Sequence, residues 1–425
     1  MKEHTEVDQE FDVIVVGGGP AGSTIATLLA QRGRNVLMLE REEFPRFHVG
    51  ESLISGLVPL MRELGLEEEL DRRFQWKYGV TLRWGNDPKV WRTAFGEASP
   101  FDHSWHVDRA SFDKLLLDNA VKHGVRVVEN AKVGAALTDP DSDRITGVRW
   151  THEGTSHCAN AQFVVDASGQ SRVISRHLTD VTWQPDLRNV AIWRYFDGYT
   201  RLPDPDDILI EAVPVVGGWL WGIPLSADRL SVGYVADADE VGTKLASGRT
   251  QAELFEAALD ESTEVSAMIA PAEQFGDERT ARDFSHAAHT FSGPGWLAVG
   301  DAAAFVDPLF SSGVWLGTSG AWLAARAVDA CLTRPEATPT AMARFEELYR
   351  QIVEDMLAYV RYFSDPLRNK EDYLEKAEAA VASYSGGHQL GFISLISGLS
   401  ALPGLLNFDP LAEEPAPILH LARPA

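Results

Sequence analysis

The chain has 425 residues, 45% apolar and 24% charged, enough to bury a large core in roughly two or three lobes. Its 62 acidic residues against 38 basic ones give a formal net charge of −24, which opposes nucleic acid and anionic membranes as partners. Two cysteines, Cys158 and Cys331, are too few for a disulfide framework or a metal cluster. No run reaches the ~20 apolar residues a membrane span needs, and Met1 to Glu10 is polar and acidic; a cytoplasmic protein without a metal is expected.

Phe11-Asp12-Val13-Ile14-Val15-Val16 is a short β-branched apolar run, as in a strand buried on both faces of a parallel sheet. Gly17-Gly18-Gly19-Pro20-Ala21-Gly22 follows directly, Ser23 to Arg32 has helical apolar spacing, and Val36 to Glu40 reads as a second strand. The pattern G-x-G-x-x-G therefore lies at a strand-to-helix turn. Gly17 makes the tight turn, Gly19 lets the backbone approach a pyrophosphate, and Gly22 lets helix and strand pack closely. Pro20 opens the helix without an N–H of its own, and the unpaired N–H groups of the turn that follows it, through Ala21 to Ser23, are offered to phosphates. Glu40, followed by Arg41, would accept hydrogen bonds from ribose hydroxyls, and its charge argues against a 2′-phosphate.

Residues 74 to 105 carry Trp76, Trp84, Trp91, Phe101 and Trp105, a candidate pocket wall. Lys77 lies among them. In a partly dry aromatic setting its charged form is disfavoured, so it could act as an amine nucleophile or donate to a bound oxidant; the plainer alternative is a solvated side chain running past Trp76 and Tyr78. His106-Val107-Asp108-Arg109 opens a helix with Phe112 and Leu116. Phe163 to Gly169 is a further apolar strand entering a small-residue turn.

From Trp183 to about Ser285, stretches such as Asn189 to Phe196 and Leu230 to Val235 alternate as in an antiparallel sheet, and Trp219-Leu220-Trp221 places both indoles on one face. Trp296 to Ala303 is a strand ending in Gly300-Asp301 before a helix-compatible stretch. Asp301 there could hold the ribityl chain of a flavin or cap its own helix, a feature that favours FAD over NAD. Ser311-Ser312-Gly313 is a turn before a helix near Val314. Thr340 to Tyr362 has helical spacing, and beyond Pro366 the chain is helical, then proline-rich through Pro415-Ala416-Pro417 and Pro424.

The three strand-and-turn segments, in this order, resemble the flavoprotein monooxygenase superfamily over about residues 10 to 325. Within it, four further motifs resemble the flavin-dependent halogenases that act on phenols and pyrroles. Phe44 to Leu53, with Arg46 and Ser52, matches F-P-R-x-H-x-G-E-S-L. Lys77 falls in F-x-x-K-x-G. Trp219, Trp221, Ile223 and Pro224 match W-x-W-x-I-P. Asp307 to Val314, with Pro308, Ser312 and Gly313, matches D-P-x-F-S-S-G-V. The first and last also occur loosely in prenyl reductases, so Lys77 and the tryptophan motif carry the discrimination.

The resemblance implies an α/β fold: a Rossmann-like FAD-binding domain of hydroxybenzoate-hydroxylase type (10–182 and 286–335), an inserted antiparallel sheet domain facing the substrate (183–285), and a helical C-terminal segment (336–425). It also implies FADH2-dependent halogenation, chlorination being the leading expectation, of an electron-rich phenolic or pyrrolic small molecule in secondary or antibiotic metabolism. Reduced FAD and dioxygen would form a flavin hydroperoxide. Chloride or bromide held by the N–H groups of Ser312 and Gly313 would convert it to hypohalous acid, and Lys77 would receive the oxidant as a chloramine or by hydrogen bonding. Trp219, Trp221, Ile223 and Pro224 would keep the substrate from the flavin, beside which Arg109 lies. With one dinucleotide fingerprint, a separate NADH-dependent flavin reductase is expected. The substrate could be free or tethered to a carrier protein. Ser312 stands in the region where tryptophan halogenases use a glutamate in a different motif, which argues against tryptophan, and no residue declares itself as the base. The rivals are an aromatic monooxygenase, a prenyl-chain reductase, and an FAD-binding scaffold.

Overall fold

In a computed structural model, residues 7–85, 89–98, 100–202, 207–365, 368–380 and 388–412 are described. The proline-rich stretch around Pro415, Pro417 and Pro424 lies outside them. Two eight-stranded sheets organise the chain. The first has a parallel centre in which Val7–Val16 lies between Thr155–Asp166 and Val36–Leu39. Arg126–Val128 extends the Val36–Leu39 side, and Trp296–Ala298 extends the other. Val13, Ile14, Val15, Val36, Leu37 and Met38 are almost completely buried, so both faces of these strands are covered. The helix Pro20–Gln31 packs on this sheet's layer together with Gly313–Thr333 and Arg109–Lys122.

The second sheet runs in the order Ala304–Phe305, Glu273–Ala288, Val181–Asp197, Arg229–Asp237, Trp219–Pro224, Ile208–Ala212, Gly79–Arg83, Trp91–Ala94. All neighbours are antiparallel except Ile208–Ala212 beside Gly79–Arg83, which are parallel. Period-two alternation sorts its side chains between two cores. Val190, Ile192, Leu220, Val232 and Tyr234 meet Leu254, Phe255, Ala258 and Val265 in one cluster. Ala191, Trp193, Tyr195, Trp219, Trp221 and Ile223 face the main core on the other side.

Four features depart from the expectations drawn from sequence. Gly79–Arg83 and Trp91–Ala94 belong to the second sheet although they precede it in the chain by about a hundred residues, because strand pairing is a non-local choice. Three helices, Ala238–Ala246, Gln251–Glu261 and Glu264–Ile269, interrupt that sheet and cover its outer face; Thr250 caps the second with a reciprocal bond to Glu253. After Asp301 there is only a 3₁₀ turn, Gly300–Ala302, and a two-residue strand; the helix begins at Gly313. Ala304–Phe305 is drawn into the second sheet, and Pro308 keeps Asp307 extended. Lastly, none of the aromatics Trp76, Trp84, Trp91, Phe101 and Trp105 lines the large cavity between the two sheets, and three of them are packing residues. Trp84 stacks on Phe363 and donates to its carbonyl at 2.9 Å, Trp91 meets Phe392, and Trp105 donates to Asp71.

The C-terminal segment is helical as expected, over Thr338–Phe363, Lys370–Ala380, His388–Ile396 and Leu402–Leu406. No single described helix is long and apolar enough to cross a membrane; Gln389–Ile396 and Leu399–Leu406 reach that length and composition only as a bent pair.

Candidate active site between the two sheets

The first strand ends at Val16, and Gly17 turns the chain with φ 104°. A Cβ there would lie 2.4 Å from the carbonyl oxygen of Ala167, and one on Gly22 would lie 1.9 Å from that of Gly17, so both are required by the protein's own packing. Gly19 differs. A Cβ on it would meet only Arg46 Nη2, at 3.4 Å, which leaves the space over the turn open for a ligand. The Gly18 N–H donates to Glu40 Oε2 at 2.6 Å and the Glu42 N–H to Oε1 at 2.9 Å, fixing the carboxylate at the end of its strand. Ser23 Oγ donates to the Gly18 carbonyl at 2.8 Å, inside the turn.

Over this turn passes the segment Phe44–Ser52. Arg109, whose helix is capped by Asp108, pins it: Nη1 donates to the Val49 carbonyl at 2.6 Å while Nε and Nη2 hold Asp113 at 2.9 and 3.1 Å. Arg46 Nη1 lies 3.2 Å from the same carboxylate. The segment then reaches the second sheet, where Glu51 meets Tyr195, and a separate two-stranded sheet, where Ser52 meets Lys77.

A single cavity of about 790 Å³ joins these parts, at the large end of small-molecule sites. Of the residues singled out from sequence, Gly17, Gly19, Pro20, Ala21, Glu40, Arg41, Arg46, Ser52, Arg109, Trp219, Trp221, Ile223, Asp301, Pro308 and Gly313 line it. Gly22, Ser23, Lys77, Pro224 and Ser312 do not; Ser23, Lys77 and Ser312 are buried beside or behind the lining. The open turn at Gly19, the fixed Glu40 carboxylate and the cavity's reach from Arg41 to the tryptophan face fit an extended dinucleotide such as FAD.

Lys77 is fully buried, which excludes the solvated alternative. Its strand, Gln75–Lys77, pairs with Ser104–His106, and Nζ sits 2.9 Å from Ser52 Oγ and 5.4 Å from the Phe95 ring centre. Loss of hydration lowers its pKa to about 7, the Asp207 carboxylate partly opposing the fall. Ser52 lines the cavity and Lys77 does not, so the amine is joined to the cavity lining by its hydrogen bond to Ser52.

Trp219 and Trp221 lie side by side, ring centres 6.1 Å apart, and continue to Trp193 at 6.4 Å. Gly233 makes room for Trp221: a Cβ there would fall 2.1 Å from the indole. At the other wall, the Gly313–Thr333 helix starts without a side-chain cap, and Ser311, with φ 57°, precedes it. Among the described residues its first N–H groups have no side-chain cap, and Ser311, Gly313 and Val314 reach the cavity.

Glu51 was overlooked in the sequence because it read only as a letter in the Phe44–Leu53 motif. Burial raises its pKa to about 7, against the pull of hydrogen bonds from Ser231 and Tyr195. Asp166 was overlooked as well: it accepts from the N–H groups of Ser168, Ile174 and Ser175 and so builds the turn beside Gly17. An acid ending an apolar strand, as in Val165-Asp166-Ala167, is the signal that could have found it.

The family model described as tryptophan halogenase matches residues 12–102 and 96–376. A protein of Chondromyces crocatus described as tryptophan 2-halogenase is 33% identical over 412 residues, covering 93% of this chain and 77% of that one. Among solved structures, the myxobacterial chondrochloren halogenase CndH is 34% identical with a TM-score of 0.79, covering 93% of this chain and 96% of that chain. The flavin-dependent halogenase CmlS is 31% identical with a TM-score of 0.77, covering 86% and 67%. The glycine turn, the enclosed lysine and the paired tryptophans thus sit on a scaffold with known relatives, and the chain belongs to the FAD-dependent halogenases of the tryptophan halogenase family.

Proposed function

We propose that this enzyme halogenates a small electron-rich aromatic compound, with Lys77 as the group that holds the oxidising halogen. The observation that carries the reading is the placement of Lys77: a fully buried amine with its pKa brought to about 7, hydrogen-bonded to Ser52, a residue that lines the cavity. An ammonium in water is no nucleophile, whereas a dry, partly neutral amine can accept a halogen or hydrogen-bond the hypohalous acid that carries it.

Bound reduced FAD supplies two electrons, so that FADH2, dioxygen, halide and one proton become FAD, hypohalous acid and water; the arene and hypohalous acid then give halogenated arene and a second water. Gly19, Glu40, Arg46 and Arg109 would hold the cofactor, and the Ser312 and Gly313 N–H groups at the uncapped helix start would hold chloride or bromide. The paired indoles of Trp219 and Trp221 with Ile223 keep the aromatic ring away from the cofactor while passing smaller molecules. A separate NADH-dependent flavin reductase would supply the reduced cofactor, since the chain carries one dinucleotide fingerprint. A phenolic or pyrrolic substrate follows from the motifs; the name of the Chondromyces relative is a reason to assay tryptophan beside them.

The test is mass spectrometry of products formed with reduced FAD, air and either chloride or bromide, over phenols, pyrroles and tryptophan. A halogen isotope pattern that follows the halide supplied is the expected result. A mass gain of one oxygen alone would replace this reading with a monooxygenase. Added hydrogens, only without dioxygen, would replace it with a reductase.

A further inference from the structure

Halogenation as proposed consumes one proton per turnover, at the stage where dioxygen is reduced and water leaves. A proton donor built into the cavity wall would supply it at the reacting atoms without a diffusing carrier. Glu51 has the right position. It lines the cavity, is buried, and lies where the Phe44–Ser52 segment meets the inner face of the second sheet. Tyr195 donates to its Oε1 at 2.8 Å, while Oε2 makes no hydrogen bond of good geometry among the described residues. Ser231, beside the carboxyl, accepts from Trp221 Nε1 at 3.2 Å, so the group is tied to the tryptophan wall. The Val107 N–H donates to the Glu51 carbonyl at 2.7 Å and holds its backbone.

On the strength of the proposed function, we infer that Glu51 is the proton donor of this cavity, delivering to the oxygen that leaves as water, with Tyr195 and Ser231 as its positioning residues. In that step the O–O bond of dioxygen, reduced by the cofactor's two electrons, breaks; one oxygen bonds to the halide and the other takes the Glu51 proton. The carboxylate left behind is stabilised by the Tyr195 and Ser231 hydroxyls and regains a proton from solvent before the next turnover. Tyr195 and Ser231 from the sheet and Asp108 and Arg109 from the neighbouring segment act on Glu51; beyond them lie Lys77 and His106, both joined to Ser52, and Arg279, which acts on Tyr195. Arg109 favours the carboxylate and Asp108 disfavours it, so the two partly cancel and burial dominates.

Because the acid form is the active one, the rate of hypohalous acid formation should fall as pH rises through about 7. Glu51→Gln keeps the shape and loses the proton. It should slow that rate by on the order of 10²-fold and remove the alkaline limb. An independent reading uses the protein without cofactor: the infrared band of a protonated carboxyl should titrate with the same midpoint and vanish in Glu51→Gln. Tyr195→Phe removes a donor to the carboxylate, so the infrared midpoint and the alkaline limb should move upward together. The inference is overturned if the band persists in Glu51→Gln, if a halogenating Glu51→Gln variant retains the limb, or if that variant loses FAD affinity alone. Wild-type products that ignore the halide supplied would instead overturn the proposed function, leaving the infrared titration to stand by itself.

Discussion

At Lys77 the protein sets one side chain against its own hydration. An amine whose pKa falls from 10.5 to about 7 on folding binds fewer protons folded than unfolded between those values, so this residue makes stability rise with pH across that window. Below about pH 7 the burden is complete, on the order of a few kcal/mol for a shift of that size. Lys77→Met, which retains most of the stem, should therefore raise the melting temperature at pH 7, and the gain should shrink toward pH 10. Halogen transfer tells a separate story. Lys77→Ala and Lys77→Arg should both abolish halogenation, the second because guanidinium stays protonated, while FAD affinity and reoxidation of the reduced cofactor stay near wild type. Near-normal halogenation by Lys77→Ala would return the residue to a packing role. The motif around Lys77 marked it in the sequence, but its enclosure could not be read there. Burial comes from Phe95 and Ser52, distant along the chain, and the same remoteness hid Glu51, whose partners Tyr195 and Ser231 arrive from the second sheet.

Strands and helices with strong local patterns were legible, and those that depend on remote partners were not. The apolar runs at Val13–Val16 and Phe163–Val165 and the alternation at Asn189–Phe196 appear as strands because burial on one or both faces leaves a periodic trace. Trp219 and Trp221 likewise share the face that their spacing implied. Nothing local, in contrast, tells Gly79–Arg83 to join Ile208–Ala212 in parallel, or Ala304–Phe305 to abandon a helix for a sheet edge. The strand Arg229–Asp237 also carries a constraint visible only in three dimensions. Gly233 pairs with both Trp193 and Trp221, and a methyl group at this position would run into the Trp221 indole. Gly233→Ala should destabilise the protein by about 1–3 kcal/mol through overpacking. It should also turn the indole and disturb the tryptophan wall of the cavity, which we proposed keeps substrate from cofactor. Denaturant unfolding checks the first effect. The second would appear as lost halogenated product per reduced FAD consumed, with a gain in free hypohalous acid.

Across the whole molecule, the cavity lies where a sheet with a parallel centre and a second, mainly antiparallel sheet of the same strand number are clasped by one segment, Phe44–Ser52, whose Val49 carbonyl Arg109 ties to Asp113. Gly17, Gly19 and Gly22, the three fixed glycines of the fingerprint, play different parts in that assembly, and substitution can separate them. Gly17 and Gly22 face other backbone atoms at 2.4 and 1.9 Å, so alanine at either should lower the stability of the protein without cofactor. Gly19 has a negative φ of −68° and only the flexible end of Arg46 nearby, so Gly19→Ala should fold as the wild type does. What the new methyl group occupies is the space a diphosphate would fill. FAD at a hundred times its dissociation constant should stabilise the wild type by about 2.7 kcal/mol through binding linkage, and Gly19→Ala should lose most of that increment while its cofactor-free melting temperature stays unchanged. Thermal unfolding with and without FAD decides the matter. If Gly19→Ala is as well stabilised by FAD as the wild type, the diphosphate does not lie over this turn, and the cofactor's placement in the cavity must be reassigned.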